Sequence, residues 1–393
     1  MESIKTQRIP NSAIRLMVEA AGRMEHEGRE VIHLEIGRPD FDPPKHVVEA
    51  CIEALRAGKH HYCANAGILE LRRAIARRFA DENRLQYDPE SEVIVTNGVA
   101  EAVYLAMNAL LNPGDQILIP DPGWLNYAVD AITAYAEPVS YTLSAANGYQ
   151  PDVDEIADKI TSRTRMIMVV SPSNPVGAVT KPAALEGIAA LAQKHDLIVV
   201  SDEIYEKIIY PPARHHSIAC LPGMKERTLL VNGFSKFWSM TGWRLGYALG
   251  PRQLIDPMVR YHLFLLTSVA TFPQYGALAA LNGDQSPCYA MVAELQKRRD
   301  FLAPAVNRIP GFSCLMPEGA FYVFVDARAA GMDGYRLSNL LLEEAGVVTV
   351  AGECFGNNGA GHIRLALTCP LEKLRKAASN MQEVMNRLMR AKS

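Results

Sequence analysis

The sequence has no excess of charge of either sign. Its 393 residues include 40 Lys and Arg against 43 Asp and Glu, which leaves a formal net charge of −3. Nucleic-acid-binding faces and polybasic membrane surfaces need clustered basic side chains, and a balanced chain does not supply them. We therefore expect neither nucleic acid nor a membrane among the partners of this protein.

Paired cysteines and long apolar runs are also missing. The seven cysteines are scattered, odd in number and without a C-x-x-C pair, which argues against a disulfide framework and against a zinc ribbon. No run approaches the ~20 apolar residues that a membrane helix requires, and Met1–Pro10 has no apolar segment of the secretory type. These absences favour a cytoplasmic globular enzyme without a metal.

The middle of the chain alternates short, almost wholly apolar strands with helical patterns. The predicted strands are Val93–Thr96, Gln116–Pro120, Met166–Val170, Leu197–Ser201, Thr228–Asn232 and Leu245–Leu249, and the predicted helices are Glu101–Leu111, Trp124–Thr133, Pro182–His195 and Arg252–Leu266. Apolar strands of this kind are typical of a parallel sheet that helices cover on both faces. The alternation therefore predicts an α/β fold with right-handed crossovers.

The two ends of the chain show fewer such alternations. The predicted elements there are a helix at Ala13–Glu27, strands at Val31–Leu34, Ala320–Val325, Val347–Val350 and Ile363–Leu367, and an amphipathic helix from Leu371 to about Met389. We expect residues 1–45 to form an N-terminal arm and part of a small domain, residues 46–285 a large domain, and residues 286–393 the rest of the small domain.

Side chains with useful chemistry stand directly after several predicted strands. They are Asn174 after Met166–Val170, Asp202 and Tyr205 after Leu197–Ser201, Ser235 and Lys236 after Thr228–Asn232, and Asn97-Gly98-Val99-Ala100 after Val93–Thr96. Ligands of open α/β sheets bind beyond the carboxyl ends of the strands, and the last of these sites opens a helix, whose N–H groups suit an anion. The set fits pyridoxal phosphate, which needs a lysine for its imine bond, an acid for its ring nitrogen and donors for its phosphate.

The motifs around these residues resemble those of the class I/II pyridoxal-phosphate aminotransferases, the aspartate aminotransferase-like enzymes of fold type I. Residues 233–246, with Lys236 and the arginine eight positions later, resemble the lysine-attachment signature. The other matching motifs, in the family's order, are the glycine turn (Gly37–Phe41), the segment that crosses to the partner subunit (Tyr62 and Gly67–Arg72), the asparagine motif (Asn174–Gly177), the aspartate-tyrosine motif (Asp202–Tyr205) and the arginine motif (Ile363–Leu365). The resemblance implies a large domain with a mostly parallel, seven-stranded type of sheet and a smaller α+β domain made from both chain ends.

The resemblance also implies a role for each residue around the cofactor ring, with Lys236, Asp202 and Tyr205 as the catalytic residues. Lys236 would hold the aldehyde carbon and, once released, carry a proton between the substrate α-carbon and the cofactor C4′. Asp202 would keep the ring nitrogen protonated, so that the ring draws electrons from the α-C–H bond. Asn174 and Tyr205 would donate to the ring O3′, and Trp124 would stack on the ring.

The resemblance further implies how the phosphate and the substrate are held. The expected phosphate donors are the backbone N–H groups of Val99 and Ala100, the side chains of Ser235 and Arg244, and Tyr62 of the partner subunit, in a homodimer with shared active sites. Many relatives have serine where this chain has Gly233, so one phosphate hydrogen bond is expected to be missing. Arg364, helped by the Gly37 N–H and the Asn174 amide, would bind the substrate α-carboxylate.

The side-chain pocket gives a substrate prediction and leaves one question open. Relatives specific for dicarboxylates have a second cation, but the matching places here hold Ala100 and the uncharged run Asn11–Ala13. We therefore predict a neutral or aromatic amino donor and a 2-oxo acid acceptor such as 2-oxoglutarate, used in ping-pong half-reactions. Arg38 stands where Glu or Gln is common, and it either reads an acidic substrate or pairs with Asp40 or Asp42.

Three other functions compete with transamination. A lyase of the same fold, such as a carbon–sulfur lyase, would use Lys236, Asp202 and Arg364 in the same way and stays open. A ligand-sensing domain of a transcription regulator would need an added helix-turn-helix segment with a basic face, and we expect none here because the resemblance covers the chain from about residue 10 to 390. A nicotinamide dehydrogenase is disfavoured because no G-x-G-x-x-G leads from a strand into a helix.

Overall fold

The structure is a computed structural model that describes residues 2–10 and 13–390. Asn11 and Ser12, which entered the substrate prediction, lie outside these residues. The α-helices are α1 (Ile4–Gln7), α2 (Ala13–His26), α3 (Lys45–Arg56), α4 (Leu69–Asn83), α5 (Val99–Leu110), α6 (Asn126–Thr133), α7 (Val153–Lys159), α8 (Pro182–Lys194), α9 (Arg252–Leu265), α10 (Thr271–Asn282), α11 (Ser286–Val306), α12 (Gly334–Ala345) and α13 (Leu371–Arg390). The strands are β1 (Ile32–His33), β2 (Val93–Thr96), β3 (Gln116–Asp121), β4 (Glu137–Thr142), β5 (Thr164–Val170), β6 (Ile198–Asp202), β7 (Thr228–Gly233), β8 (Gly246–Leu249), β9 (Tyr322–Asp326), β10 (Val347–Val348), β11 (Val350–Ala351) and β12 (His362–Ala366).

The largest sheet has seven strands in the order β2-β8-β7-β6-β5-β3-β4. Neighbouring strands from β7 to β4 are parallel, whereas β8 runs antiparallel to both β2 and β7. Every residue of β2, β3, β7 and β8 is buried, as expected for strands between two helical layers. The predicted α/β fold with a mostly parallel sheet is confirmed.

Two smaller sheets join the ends of the chain. β1 pairs in parallel with β10, and β11, β12 and β9 form an antiparallel sheet in that order. Val347–Val350, predicted as one strand, therefore belongs to two sheets. The change of sheet occurs at buried Thr349, whose hydroxyl lies 2.9 Å from that of Ser338. The domain boundaries that we drew from the sequence stay a prediction.

The carboxyl ends of the central strands lie at one level. Val170 of β5 is in register with Asp202 of β6, and Asp202 is in register with Val231 of β7. The residues that follow these strands therefore emerge side by side at the same edge of the sheet. Among the described helices, none has the length and apolar character needed to cross a bilayer.

Candidate active site

A cavity of about 510 Å³ lies at this edge of the sheet. The predicted site residues that line it are Gly37, Val99, Ala100, Trp124, Asn174, Asp202, Tyr205, Ser235, Lys236, Arg244 and Arg364. They come from the ends of the central strands, from the start of α5 and from both ends of the chain. The fold thus brings together residues that are up to 327 positions apart in the sequence, from Gly37 to Arg364.

Lys236 stands three residues after β7, with its amine turned into the cavity. Its Nζ donates a hydrogen bond to the carbonyl oxygen of Gly37 at 2.6 Å. Burial, together with the positive charges of Arg364 and Arg244, lowers the pKa of this amine to about 8, although Asp202 acts in the opposite direction. A substantial fraction of the amine is therefore neutral near physiological pH, as a nucleophile or a proton acceptor requires.

Asp202, the last residue of β6, is a buried carboxylate that lines the cavity. Its Oδ2 accepts a hydrogen bond from the Tyr127 hydroxyl at 2.8 Å, and its Oδ1 accepts one from the Ile204 N–H at 3.1 Å. Burial raises the pKa of Asp202 to about 6 despite these two hydrogen bonds. No ion pair reaches this carboxylate from any described residue. A buried carboxylate without an ion-pair partner among the described residues favours a cationic ligand, and a protonated pyridine nitrogen fits that need.

Arg364, in β12, also lines the cavity and is only 4% exposed. Its Nη1 donates to the Asn174 side-chain oxygen at 3.0 Å and its Nη2 to the Glu35 carbonyl oxygen at 2.6 Å. Its Nε is buried and has no partner among the described residues. A buried donor without a partner costs about 1–3 kcal/mol, so the arginine is suited to a carboxylate that enters the cavity.

Aromatic rings fix the guanidinium of Arg364 in place. The ring centroids of Tyr322 and Phe355 lie 4.4 Å and 4.8 Å from its central carbon. The hydroxyls of Tyr322 and Tyr205 are 2.9 Å apart, and Tyr205 is buried, which raises its pKa well above the ordinary value. Trp124 packs edge-to-face against Tyr127, with their ring centroids 5.4 Å apart.

The start of α5 and the Arg244 guanidinium form a site for an anion. Gly98 precedes the helix with φ +83°, and a Cβ atom at this position would lie 2.6 Å from Nη2 of Arg244. The left-handed backbone conformation therefore favours glycine, and the absence of a side chain lets the guanidinium approach the first N–H groups of the helix. Helix N-termini and arginine forks both suit phosphate oxygens. Together with Asp202 and Lys236, this end of the cavity fits pyridoxal phosphate.

Gly233, the departure from the family pattern, is enclosed by backbone. A Cβ atom here would lie 2.9 Å from both the Cα of Gly246 and the carbonyl oxygen of Leu245. Such a contact is too short for a serine side chain unless β7 and β8 move apart. The spacing of these two strands therefore requires glycine at this position.

Several residues that line the cavity did not emerge from the sequence. They are Val18, Glu35, Ile36, Tyr127, Val170, Ile204, Thr241, Tyr322 and Phe355. Arg38, for which the sequence allows two roles, also lines the cavity. Tyr127 had a local signal, because it follows Trp124 by about one helical turn. Tyr322 and Phe355 reach the site only through the pairing of the small sheets, for which no short-range signal exists.

Tyr62 does not line the cavity of its own chain. Its side chain is 85% exposed. The end of α9 is also exposed and apolar, and it contains Phe264 at 87% exposure. Large exposed apolar residues in clusters are typical of surfaces that bind another protein.

Comparison with known proteins agrees with this arrangement. The family model described as aminotransferase class I and II matches residues 29–381. The chain is 40% identical over 376 residues to an aspartate aminotransferase of Pyrococcus abyssi, covering 95% of each. It is 37% identical over 385 residues to aromatic-amino-acid aminotransferase 2 of Thermococcus litoralis, covering 98% of each. The solved aspartate aminotransferase of Thermus thermophilus with maleate superposes with a TM-score of 0.93 at 37% identity, covering 98% of this chain and 99% of that one.

Proposed function

Because the chain belongs to the aminotransferase class I and II family, whose cofactor is pyridoxal 5′-phosphate, we propose that it moves the α-amino group of a neutral or aromatic amino acid to a 2-oxo acid such as 2-oxoglutarate. The two half-reactions would follow one another in the same cavity. The proposal rests above all on one observation: Asp202, Lys236 and Arg364 face a single cavity. The relatives described above have transaminase names, so the lyase alternative is not favoured.

Lys236 is the proposed proton carrier. When bound, the cofactor supplies the electron sink that weakens a bond to the substrate α-carbon. Lys236 would hold the cofactor between turnovers and would take up and release the proton at the α-carbon. A pKa of about 8 supports both tasks, because the amine gains and loses a proton at little cost near neutral pH.

The other site residues would orient the reactants. We assign Asp202 to the ring nitrogen, Asn174 and Tyr205 to the ring oxygen, Trp124 to the ring face, and Val99, Ala100, Ser235 and Arg244 to the phosphate. Arg364, with the Gly37 N–H and the Asn174 amide, would bind the substrate α-carboxylate. Its unpartnered Nε supports this role, and a fixed carboxylate would hold the α-hydrogen in one orientation.

The wall beside Arg364 supports a neutral or aromatic donor. Val18 and Ile36 line the cavity with exposed apolar side chains, and Phe355 and Trp124 add aromatic surface. An apolar side chain gains about 25 cal/mol for each Å² that it buries against such a wall. The named relatives include both aspartate and aromatic aminotransferases, so the donor must be measured.

A half-transamination screen tests the donor class. Each amino acid is added to the cofactor-loaded enzyme without an acceptor, and the change in cofactor absorbance gives the rate. We expect phenylalanine, tyrosine or leucine to react at least about tenfold faster than aspartate, a difference that corresponds to about 1.4 kcal/mol. Aspartate as the best donor by about the same factor would overturn the proposed donor class. Release of ammonia or thiol without transfer of nitrogen would overturn transamination itself.

We also propose that the active protein is a cytoplasmic homodimer in which Tyr62 serves the partner's cofactor. The exposure of Tyr62 and the apolar end of α9 support this assembly, and the cytoplasmic location rests on the scattered, free cysteines. A tyrosine hydroxyl that reaches across an interface to a phosphate makes a hydrogen bond to a charged group, which is worth about 1.5–3 kcal/mol.

Tyr62→Phe removes that hydroxyl and retains the ring. We expect the cofactor to bind about 10- to 100-fold more weakly, with the dimer unchanged in sedimentation equilibrium. Tyr135→Phe is the matched control, because Tyr135 is also exposed, at 57%, and does not line the cavity. Equal cofactor affinity in the wild type and in Tyr62→Phe would contradict the cross-subunit role.

A further inference from the structure

Arg38 is a cation at the cavity to which the proposed function assigns no role. It follows Gly37 directly, lines the cavity and is exposed to solvent. The alternative partner Asp40 is engaged elsewhere, because its Oδ1 accepts from Nη1 of Arg298 at 2.7 Å. Asp42 forms no ion pair with it either, and no described residue makes a hydrogen bond or an ion pair with the Arg38 side chain. The guanidinium is thus available to a ligand.

The segment that carries Arg38 is fastened to both reactive cations of the site. The Glu35 carbonyl oxygen accepts from Arg364 and the Gly37 carbonyl oxygen accepts from Lys236, each at 2.6 Å. These bonds set the segment across the cavity between the proposed α-carboxylate site and the amine that handles the α-carbon. Arg38 follows the second bond by one residue, and its side chain lines the same cavity as Lys236 and Arg364.

The other cations that line the cavity, within the part of the chain that the structure describes, already have assigned tasks. The cationic residues that line it are Arg38, Lys236, Arg244 and Arg364, and the proposed function uses the last three for the α-carbon, the phosphate and the α-carboxylate. The two acidic lining residues, Glu35 and Asp202, are buried at 1% and 2% exposure. Among the described residues of one chain, Arg38 is therefore the cation at the cavity that has no other assigned task.

We propose that Arg38 is a specificity-determining residue that binds the distal carboxylate of a 2-oxo diacid acceptor and of the amino diacid formed from it. The inference rests on the proposed transaminase function and names the acceptor class of the same site. Arginine binds a carboxylate through two parallel hydrogen bonds. When a neutral or aromatic donor occupies the apolar wall, the exposed guanidinium stays in water, so its charge is not desolvated. One cavity can then take both substrates in turn.

The test compares two acceptors of equal length in the cofactor-loaded enzyme. 2-Oxopentanoate differs from 2-oxoglutarate only by a methyl group in place of the distal carboxylate. The quantity measured is the ratio of kcat/KM for 2-oxoglutarate to kcat/KM for 2-oxopentanoate, with one neutral donor held constant. We expect Arg38→Gln to lower this ratio by about 10- to 100-fold, mainly through KM for the diacid, and Arg38→Lys to recover part of it. Damage to the fold or to the cofactor site would lower both rates and leave the ratio unchanged.

Lys45→Gln is the matched control, because Lys45 is an exposed cation seven residues later that does not line the cavity. It removes the same charge, and we expect it to keep the wild-type ratio.

If the wild type prefers 2-oxoglutarate and Arg38→Gln keeps that preference, the role of Arg38 is refuted while the transaminase function stands. If the wild type transaminates 2-oxopentanoate and 2-oxoglutarate with equal kcat/KM, the proposed acceptor class is wrong and Arg38 has no distal carboxylate to bind. If no 2-oxo acid is aminated at all, the proposed function fails together with the inference.

Discussion

Lys236→Ala is expected to lower the rate of transamination by about 1000-fold or more. The substitution removes the group proposed to take and return the α-proton, and positioned acid–base groups contribute about 10²–10⁴ in rate. It also removes the amine that would hold the cofactor covalently. The purified variant should therefore lack the absorbance of a lysine-bound cofactor, although the phosphate site at α5 can still bind the cofactor noncovalently. Steady-state rates and absorbance spectra of the two proteins measure both effects.

Borohydride reduction identifies the lysine directly. Reduction followed by proteolysis and mass spectrometry should place the cofactor on the peptide that contains Lys236 in the wild type, and on no peptide in the variant. Lys207→Ala is the control, since Lys207 forms an ion pair with Glu82 at 2.8 Å and does not line the cavity. A variant at position 236 that keeps a tenth of the wild-type rate, or a wild type modified at another lysine, would refute this assignment.

The central fold was predictable because burial on both faces leaves a simple signal. Strands such as Val93–Thr96 and Thr228–Gly233 are buried along their whole length, and a sequence shows this as a short apolar run between turns. The edge strand Glu137–Thr142 was not predicted. It pairs on one side only and contains exposed and half-buried residues as well as Pro138, so neither an apolar run nor a clean alternation marks it.

The site residues that directly follow a strand were predictable from the sequence. The site residues that reach the cavity through contacts between distant segments were not. Asp202 and Lys236 emerge at the sheet edge whatever the rest of the chain does, because parallel strands end together. Phe355 reaches Arg364 only because β11 pairs with β12. Arg38 likewise has no ion pair with Asp40 because Asp40 binds Arg298, which lies 258 positions later in the chain. Long-range pairings of this kind have no local pattern.

Asp202→Asn is expected to slow catalysis in the cofactor-loaded enzyme and to stabilise the fold of the cofactor-free protein. In the loaded enzyme it removes the negative charge opposite the ring nitrogen, and the loss of one partner of a buried pair costs about 3–5 kcal/mol. If that loss falls on the transition state, the rate decreases by about 10²- to 10⁴-fold. Asp130→Asn is the matched control: Asp130 is also a buried carboxyl whose pKa burial raises, to about 7, but it does not line the cavity. Its variant should keep the wild-type rate.

In the cofactor-free protein the same substitution should stabilise the fold above pH 6. Burial raises the pKa of Asp202 from 3.8 to about 6, so the folded chain binds this proton more tightly than the unfolded chain. The contribution of Asp202 to the free energy of unfolding therefore falls by an amount on the order of 3 kcal/mol as the pH rises from about 4 to about 6. Above pH 6 this contribution stays low. Asparagine has no proton to lose, so urea unfolding at pH 5 and pH 8 should show a smaller decrease for the variant than for the wild type. A variant that is slower in catalysis and also less stable at pH 8 would indicate a structural role for Asp202 and contradict its assignment as the partner of the cofactor ring.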